Sequence, residues 1–232
     1  MTQFYLPSID GEIPPEEAHH IVNARRFKQG DIITVFDGKG HSAKARVEKR
    51  TSKPPRVVIS VLEKFSHKAP GKEIRLFMAL IKAPAFKIAV QKCTELGATR
   101  ISPLRTARSA RQTVNRGQIE KIIINACGQC GRQYLPSLDE VKDFLIGIKE
   151  YSQDHSDGFI LLEGREALKI RENARNIAIF AGPEGGFTDS EKEAAEKAGL
   201  RPVSVGASTL RSETALIAAL AIGSLPAGRQ GG

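Results

Sequence analysis

Glu184, Arg211 and Glu213 are the residues of this chain whose types and surroundings best support chemistry, because each adjoins a turn built of small residues. Glu184 lies in IAIFAGPEGGFTDSE, where Gly182, Pro183, Gly185 and Gly186 cut off an apolar run; Arg211 and Glu213 lie in GASTLRSETA, with Gly206 and Leu210 just ahead of them. A carboxylate can take up a proton, and a guanidinium can stabilise charge developing on an oxygen. Glycine turns let the backbone approach a ligand, and their N–H groups favour lone pairs or negative charge. The first loop lacks the Gly-Lys-Ser/Thr of a phosphate-binding Walker loop and the GxGxxG order of a dinucleotide site. On glycine content alone a plain strand-to-helix turn is the preferred reading. The second loop, with charged residues of its own, shifts the balance toward ligand binding.

These residues need elements to hold them. Ile177 to Phe180 reads as a short strand buried on both faces. Thr188 and Glu191 have capping-box spacing, which starts a helix over Asp189 to Ala198. A short strand over Pro202 to Val205 then leads into a second helix through SETALIAALAIGSL. If the two strands are neighbours, the charged residues of the second loop stand beside the first glycine loop.

The chain has 232 residues, a net charge of +9 and a pI near 9.6. That length builds one large domain or two smaller ones, and the basic balance suits a polyanionic partner as well as solubility. The N-terminus MTQFYLPSIDGE has no basic region followed by an apolar one, and the longest apolar run, Ala215 to Ile222, falls short of the ~18 residues of a membrane span. A cytoplasmic protein without a membrane partner is expected.

Residues 1–70 read as β-rich: Asp31 to Asp37, Ala43 to Glu48 and Val57 to Leu62 are strand-like, with a hairpin turn at Asp37-Gly38. A short helix over EEAHHIVNARRFKQGD turns Ile21 and Val22 inward and ends in Arg25, Arg26 and Lys28. Together these predict a small β-barrel with a basic rim. His67 to Gly71 is a polar junction, and from residue 73 to residue 232 strands and helices alternate: Ile74 to Leu80, a helix over Ala85 to Leu96, Ile101 to Leu104, helices over Ile119 to Cys130 and Leu138 to Lys149, then Phe159 to Leu162. That alternation predicts an α/β domain with a largely parallel sheet, ligands binding at the carboxyl ends of its strands.

The pair GPEGGFTDSE and GASTLRSETA resembles the two C-terminal motifs of the SPOUT methyltransferases, and within them the RsmE family. The segment IKAPAFKIAVQKCTELGATRISPLRTARSAR and the basic run before the first long strand are similar to the same family. The resemblance implies a PUA-like N-terminal barrel, a SPOUT domain with a C-terminal trefoil knot, and transfer of methyl from S-adenosylmethionine to N3 of a uridine in small-subunit ribosomal RNA. It also implies a homodimer whose partner completes the pocket. Carried onto this sequence, Leu162, Gly182, Pro183, Glu184, Gly185, Gly186, Val205, Gly206, Leu210 and Thr214 enclose the cofactor. Arg211 is the cation at the reacting base or a phosphate, and Glu184 and Glu213 are the candidate proton acceptors or holders of Arg211. Arg25, Arg26, Lys82, Arg105, Arg108, Arg111 and Arg132 meet the ribosomal RNA or the small subunit.

Residues 100–132 hold seven basic groups and one acid, Glu120, a density that suits phosphates. The chain departs from the family at Ala107, where Thr-Glu-Arg-Ser is expected, and at Gly128, where a Glu-Gln pair is expected; Gln129 and Arg132 remain in place. Cys127 and Cys130 form CGQC, but a zinc site needs about four ligands. Packing of Ala126, Cys127 and Cys130 on the inward side of a helix is preferred, and no metal is expected. His19, His20 and His155 are given no role. Two rival functions stay open: a non-catalytic RNA-binding module, which leaves the glycine loops without a task, and a nucleotide- or phosphosugar-binding enzyme.

Overall fold

The computed structural model describes residues 3–9, 13, 15–19, 21–22, 27–52, 55–153, 157–171 and 173–224. The chain divides into two compact units, Met1–Ala69 with Ile124–Leu135, and Pro70–Ile123 with Pro136–Gly232.

In the first unit, strands β1 (Gln3–Tyr5), β2 (Ile32–Phe36), β3 (His41–Ser52) and β4 (Pro55–Ser66) form a sheet in that order. β1 runs parallel to β2, and the other two pairings are antiparallel. Alternating residues Ile33, Val35, Ala43, Ala45 and Val47 turn to a core shared with Leu6, Ile21 and Val22, so the inward placement of the last two is as the sequence indicates. The β2–β3 hairpin turns at Asp37-Gly38-Lys39-Gly40, with Gly38 and Gly40 at φ of 71° and 100°. The Asp37 carboxylate closes this turn by accepting from the backbone N–H of Lys39 at 2.7 Å and of His41 at 3.0 Å. Ahead of β2 the described helix α1 is Pro15–His19. Arg25 and Arg26 lie outside the described residues, as do His20 and His155.

The second half of helix α3 (Arg116–Cys130) belongs to this first unit. A Cβ on Gly128 would stand 2.8 Å from the carbonyl oxygen of Gln3. The missing family acid at this position is therefore matched by backbone approach, which a glycine alone permits. Restoring it as Gly128→Glu should lower stability by about 1–3 kcal/mol through overpacking, in spite of the ~0.7–1 kcal/mol that helix propensity gains. Urea unfolding measures this, and an unchanged midpoint would show that β1 moves aside freely. At the end of α3, Cys127 is buried but Cys130 is exposed, which corrects the expectation that both turn inward.

The second unit is a parallel sheet of β5 (Glu73–Ala79), β6 (Arg100–Arg105), β7 (Ser137–Leu138), β8 (Lys142–Asp143), β9 (Asp157–Leu161), β10 (Asn176–Ala181) and β11 (Arg201–Val203). Its order is β11-β9-β10-β5-β6-β7, with β8 also pairing β6. Helices α2 (Ala83–Glu95), α4 (Phe144–Gln153), α5 (Asp189–Lys197) and α6 (Ser212–Ser224), with the first half of α3, complete it. α2 buries Phe86, Ala89, Val90 and Cys93 on one face, and Gly97 just past its end has φ of 107°.

The expected helix over Leu138 to Lys149 needs correction: its first part is the two short strands β7 and β8, and the helix starts only at Phe144. Asp139 explains the difference. It accepts from Arg100 Nε, Arg75 Nη2 and Ser102 Oγ at 3.0, 3.0 and 2.6 Å, which ties the segment against β6 in extended form. The core behind β10 stacks Phe77 on Phe180 at 4.1 Å between ring centres, with Phe144 and Tyr151 edge-on to Phe180. Among the described residues no helix is long and apolar enough to cross a membrane.

Candidate active site

A cavity of about 640 Å³ opens at the carboxyl ends of β9, β10 and β11. Both glycine loops line it, yet their strands are not neighbours, because β9 lies between β10 and β11. The loops therefore meet across the end of β9, which adds Leu161, Leu162 and Glu163 to the wall.

The first loop is placed at both ends. β10 is buried from Ile177 to Ala181, which anchors the entry. At the exit Thr188 caps α5 and Glu191 completes the capping box, with the N–H of Thr188 donating to Glu191 Oε2 at 2.8 Å. The turn itself is closed by the N–H of Gly186 donating to the carbonyl of Pro183 at 2.8 Å, with Gly186 at φ of 68°. A Cβ on Gly182 would stand 3.0 Å from the ring of Phe187, and that ring is held in the core beside Phe144. A Cβ on Gly206 would come within 3.1 Å of Leu210. A side chain at either position would press its neighbour by a few tenths of an ångström, so glycine fits both loops best.

Leu162, Gly182, Pro183, Glu184, Gly185, Gly186, Val205, Gly206 and Leu210 all line the cavity, as does Arg211. Glu184 is exposed, and its Oε1 accepts weakly from the N–H of Lys82 at 3.4 Å. Arg211 is exposed and its side chain has no hydrogen-bond partner among the described residues. Glu213 and Thr214, in the first turn of α6, stand outside the lining. The sequence reading missed Glu163, Arg165 and Lys192 as lining residues. The first two follow β9, whose end was read for Leu162 alone, and Lys192 is one turn beyond the cap that was recognised. Arg108, expected only at RNA, also lines the cavity, and its Nη1 donates to the carbonyl of Gly185 at 2.7 Å.

The lining carries Arg108, Arg165, Lys192 and Arg211 against Glu163 and Glu184, so its balance is positive. The dense basic run is more neutral than its count suggests. Arg100 pairs with Asp139, Arg105 with Asp143, and Arg116 with Glu120 and Glu140, three of these acids lying just beyond the stretch counted. Lys82 and Arg108 remain exposed, and Arg111 is half-buried. Arg132 is half-buried in the first unit, where burial pulls its pKa down. Burial pushes the Cys127 thiol up to about 12, which makes it an unreactive packing residue. Among the described residues no three His, Cys, Asp or Glu side chains are gathered as a metal site.

Residues 67–224 match the RNA methyltransferase domain family, and residues 13–60 match the RNA methyltransferase PUA domain. The ribosomal RNA small subunit methyltransferase E of Mesomycoplasma hyopneumoniae is 31% identical over 169 residues, which cover 68% of this chain and 72% of that one. The structure of a ribosomal RNA small subunit methyltransferase E from Neisseria gonorrhoeae, bound to S-adenosyl methionine, superposes with a TM-score of 0.85 at 28% identity over 95% of both chains. A Legionella pneumophila protein in complex with the cofactor SAM gives 0.87 at 28% identity, again over 95% of both chains. With its PUA-like first domain and its α/β second domain of SPOUT type, the chain belongs to the RNA methyltransferase family, in the group of ribosomal RNA small subunit methyltransferase E.

Proposed function

We propose that this protein transfers methyl from S-adenosylmethionine to N3 of a uridine in small-subunit ribosomal RNA, in the cytoplasm and as a homodimer. The observation that carries the reading is the cavity where two glycine loops meet across the end of β9, in a chain whose structural relatives hold S-adenosylmethionine. The fit is good on physical grounds. A backbone-walled, mixed polar and apolar space of about 640 Å³ suits an adenosine joined to an amino acid. Backbone from Gly182 to Gly186, with Leu162, Val205, Gly206 and Leu210, encloses it, while Thr214 stays outside the lining.

When bound, the cofactor supplies an electrophilic methyl group on a sulfonium centre. The chain's own residues then have two tasks. The imide proton at N3 must leave, and the candidate acceptors are Glu184, which lines the cavity in the first glycine loop, and Glu213, which follows Arg211 at the start of α6. Negative charge spreads to the ring oxygens as the proton goes, and Arg211 can pair with them through its planar fork. The PUA-like residues 1–70, read as a barrel, contact the RNA, with Arg25 and Arg26 as the candidate contacts there; Arg132 is a further candidate in the first unit, and Lys82, Arg105, Arg108 and Arg111 are the candidates in the second. Residues 73–232 carry the catalytic domain, knotted at its C-terminal motifs. Exposed Ile88 on α2 and Ile222 on α6, two helices that pack together, supply an apolar face for the second subunit.

Calorimetric titration with S-adenosylmethionine tests the reading, alongside Gly185→Val. A Cβ at Gly185 first meets the aliphatic part of Arg108, at 3.3 Å, a flexible chain that can give way, so the variant folds while its bulk parts Arg108 from the loop. Wild type should bind, and the variant should bind about tenfold more weakly, ~1.4 kcal/mol. Methylation of unmodified small-subunit RNA at a uridine N3 should follow. Absence of binding by wild type, with and without RNA, would leave the non-catalytic RNA-binding reading, and a preference for ATP or a sugar phosphate would leave the nucleotide enzyme.

A further inference from the structure

Glu191 is buried, at 8% exposure, although it belongs to a strongly polar surface helix. A capping box alone does not require this, since it uses one carboxylate oxygen near the helix start. Here Oε2 accepts from the N–H of Thr188 at 2.8 Å, and Oε1 reaches out of the helix to accept from the N–H of Ala107 at 2.8 Å. Ala107 belongs to the loop after β6, two strands from β10 in the sheet. That loop is further set by the N–H of Thr106 donating to Ser109 Oγ at 2.9 Å and the N–H of Ala110 donating to the carbonyl of Leu80 at 2.9 Å. Arg108, the next residue, returns across the gap to the carbonyl of Gly185. The result is a closed circuit from α5 through Ala107 and Arg108 to the glycine loop and back through Phe187 and Thr188.

We infer that Glu191 is a positioning residue for the RNA substrate: by holding the Ala107 amide it fixes Arg108 at the cavity rim, where the guanidinium takes a phosphate of the target strand. The inference rests on the RNA methyltransferase reading above. Arg108 suits the task because it is exposed and one Nη1 bond to Gly185 leaves other donors of its fork for an anion. Glu191 itself is a carboxylate, and near a polyanion its charge opposes binding. Electrostatics alone therefore makes its removal strengthen RNA binding, whereas a positioning role makes removal weaken it. The two effects have opposite signs.

The experiment is a double-mutant cycle on methyl transfer to small-subunit RNA, with Arg108→Ala, Glu191→Ala and both together. Glu191→Gln is carried as the variant that keeps shape and one acceptor, in case the alanine variant does not fold. Arg108→Ala should raise KM for RNA about tenfold and reduce the salt slope by about one phosphate. Glu191→Ala should raise KM similarly with kcat changed far less, and should add nothing in the Arg108→Ala background. Glu191→Gln should fall between it and wild type. An unchanged or lowered KM in either Glu191 variant, or full additivity in the cycle, overturns the inference. Failure of wild type to methylate RNA at all overturns the underlying reading instead.

Discussion

Arg211→Ala is expected to lower kcat by about 10²- to 10³-fold, the loss typical of removing one donor from an oxyanion-stabilising site. The expectation follows from where Arg211 stands. It lines the cavity in the loop after β11, immediately before α6, and no acid among the described residues holds its side chain in place of a ligand. A uracil N3 becomes nucleophilic only as its proton leaves, and the charge then appears on the flanking carbonyl oxygens. An interaction that strengthens with that charge acts on kcat more than on KM. Affinity for S-adenosylmethionine should therefore remain within a few-fold of wild type, and single-turnover methyl transfer is the measurement. Arg211→Lys should recover part of the loss, since it restores charge but not the paired geometry. If alanine raised KM for RNA and left the single-turnover rate intact, Arg211 would be a phosphate contact instead.

Raising the pH should soften the defect of Glu184→Gln, because a substrate already deprotonated at N3 needs less help from a proton acceptor, whereas Arg211→Ala, which removes no acceptor, should keep its defect. Glu184→Gln should accordingly show its largest loss at low pH. These pH profiles separate the proton acceptor from the charge stabiliser.

The parts of this molecule written in local pattern were readable from the residues. Ile177 to Phe180 is a continuous apolar run and became the central strand β10; the Thr188 to Glu191 spacing became a complete capping box. Helix α2 shows its buried face at helical spacing and its stop at Gly97. What depended on distant partners was not readable. The stretch from Leu138 has helical composition, but Asp139 is drawn to Arg75, Arg100 and Ser102, and three long-range bonds outweigh local propensity. Strand order was equally hidden, so the meeting of the two glycine loops across β9 could be stated only as a condition. The cavity's resident glycines were visible, but the reason for them, the ring of Phe187 and the side chain of Leu210, was not. Glu191 was recognised for the bond inside its own helix and missed for the bond that leaves it. Side chains with two jobs show only the local one in sequence.

Arg75→Ala should be the most destabilising of the variants considered, by about 3–5 kcal/mol, the usual cost of removing one partner from a buried ionic network. Arg75 is 6% exposed and lies over the ring of Phe77 at 4.3 Å. Its Nε donates to Ser102 Oγ at 2.9 Å, and its Nη2 donates to Asp139 and to Glu150. Lys142 donates to Glu150 at 2.7 Å and Arg100 holds Asp139, so three cations share two carboxylates. Burial pushes the Asp139 carboxyl upward, but hydrogen bonds from Ser102 and Arg100 and the charges of Arg100 and Lys142 outweigh it, and the group stays below its ordinary value. Glu150 is lowered in the same way, burial being outweighed by its bonds to Lys142 and Arg75. A carboxyl lowered in the folded state stabilises the protein above its unfolded pKa of ~4, and that contribution disappears as pH falls through the folded value. Loss of Arg75 raises the folded value of Glu150 toward the unfolded one. The acid limb of the stability curve should therefore flatten in the variant, while the loss at pH 7 remains at full size. Thermal unfolding from pH 7 to pH 3 reads both effects, with a drop of about 10 °C expected at neutral pH, since ~1 kcal/mol moves the midpoint of a domain this size by ~2–4 °C. Equal destabilisation at every pH would mean that Arg75 acts by its packing on Phe77 and not by its charge.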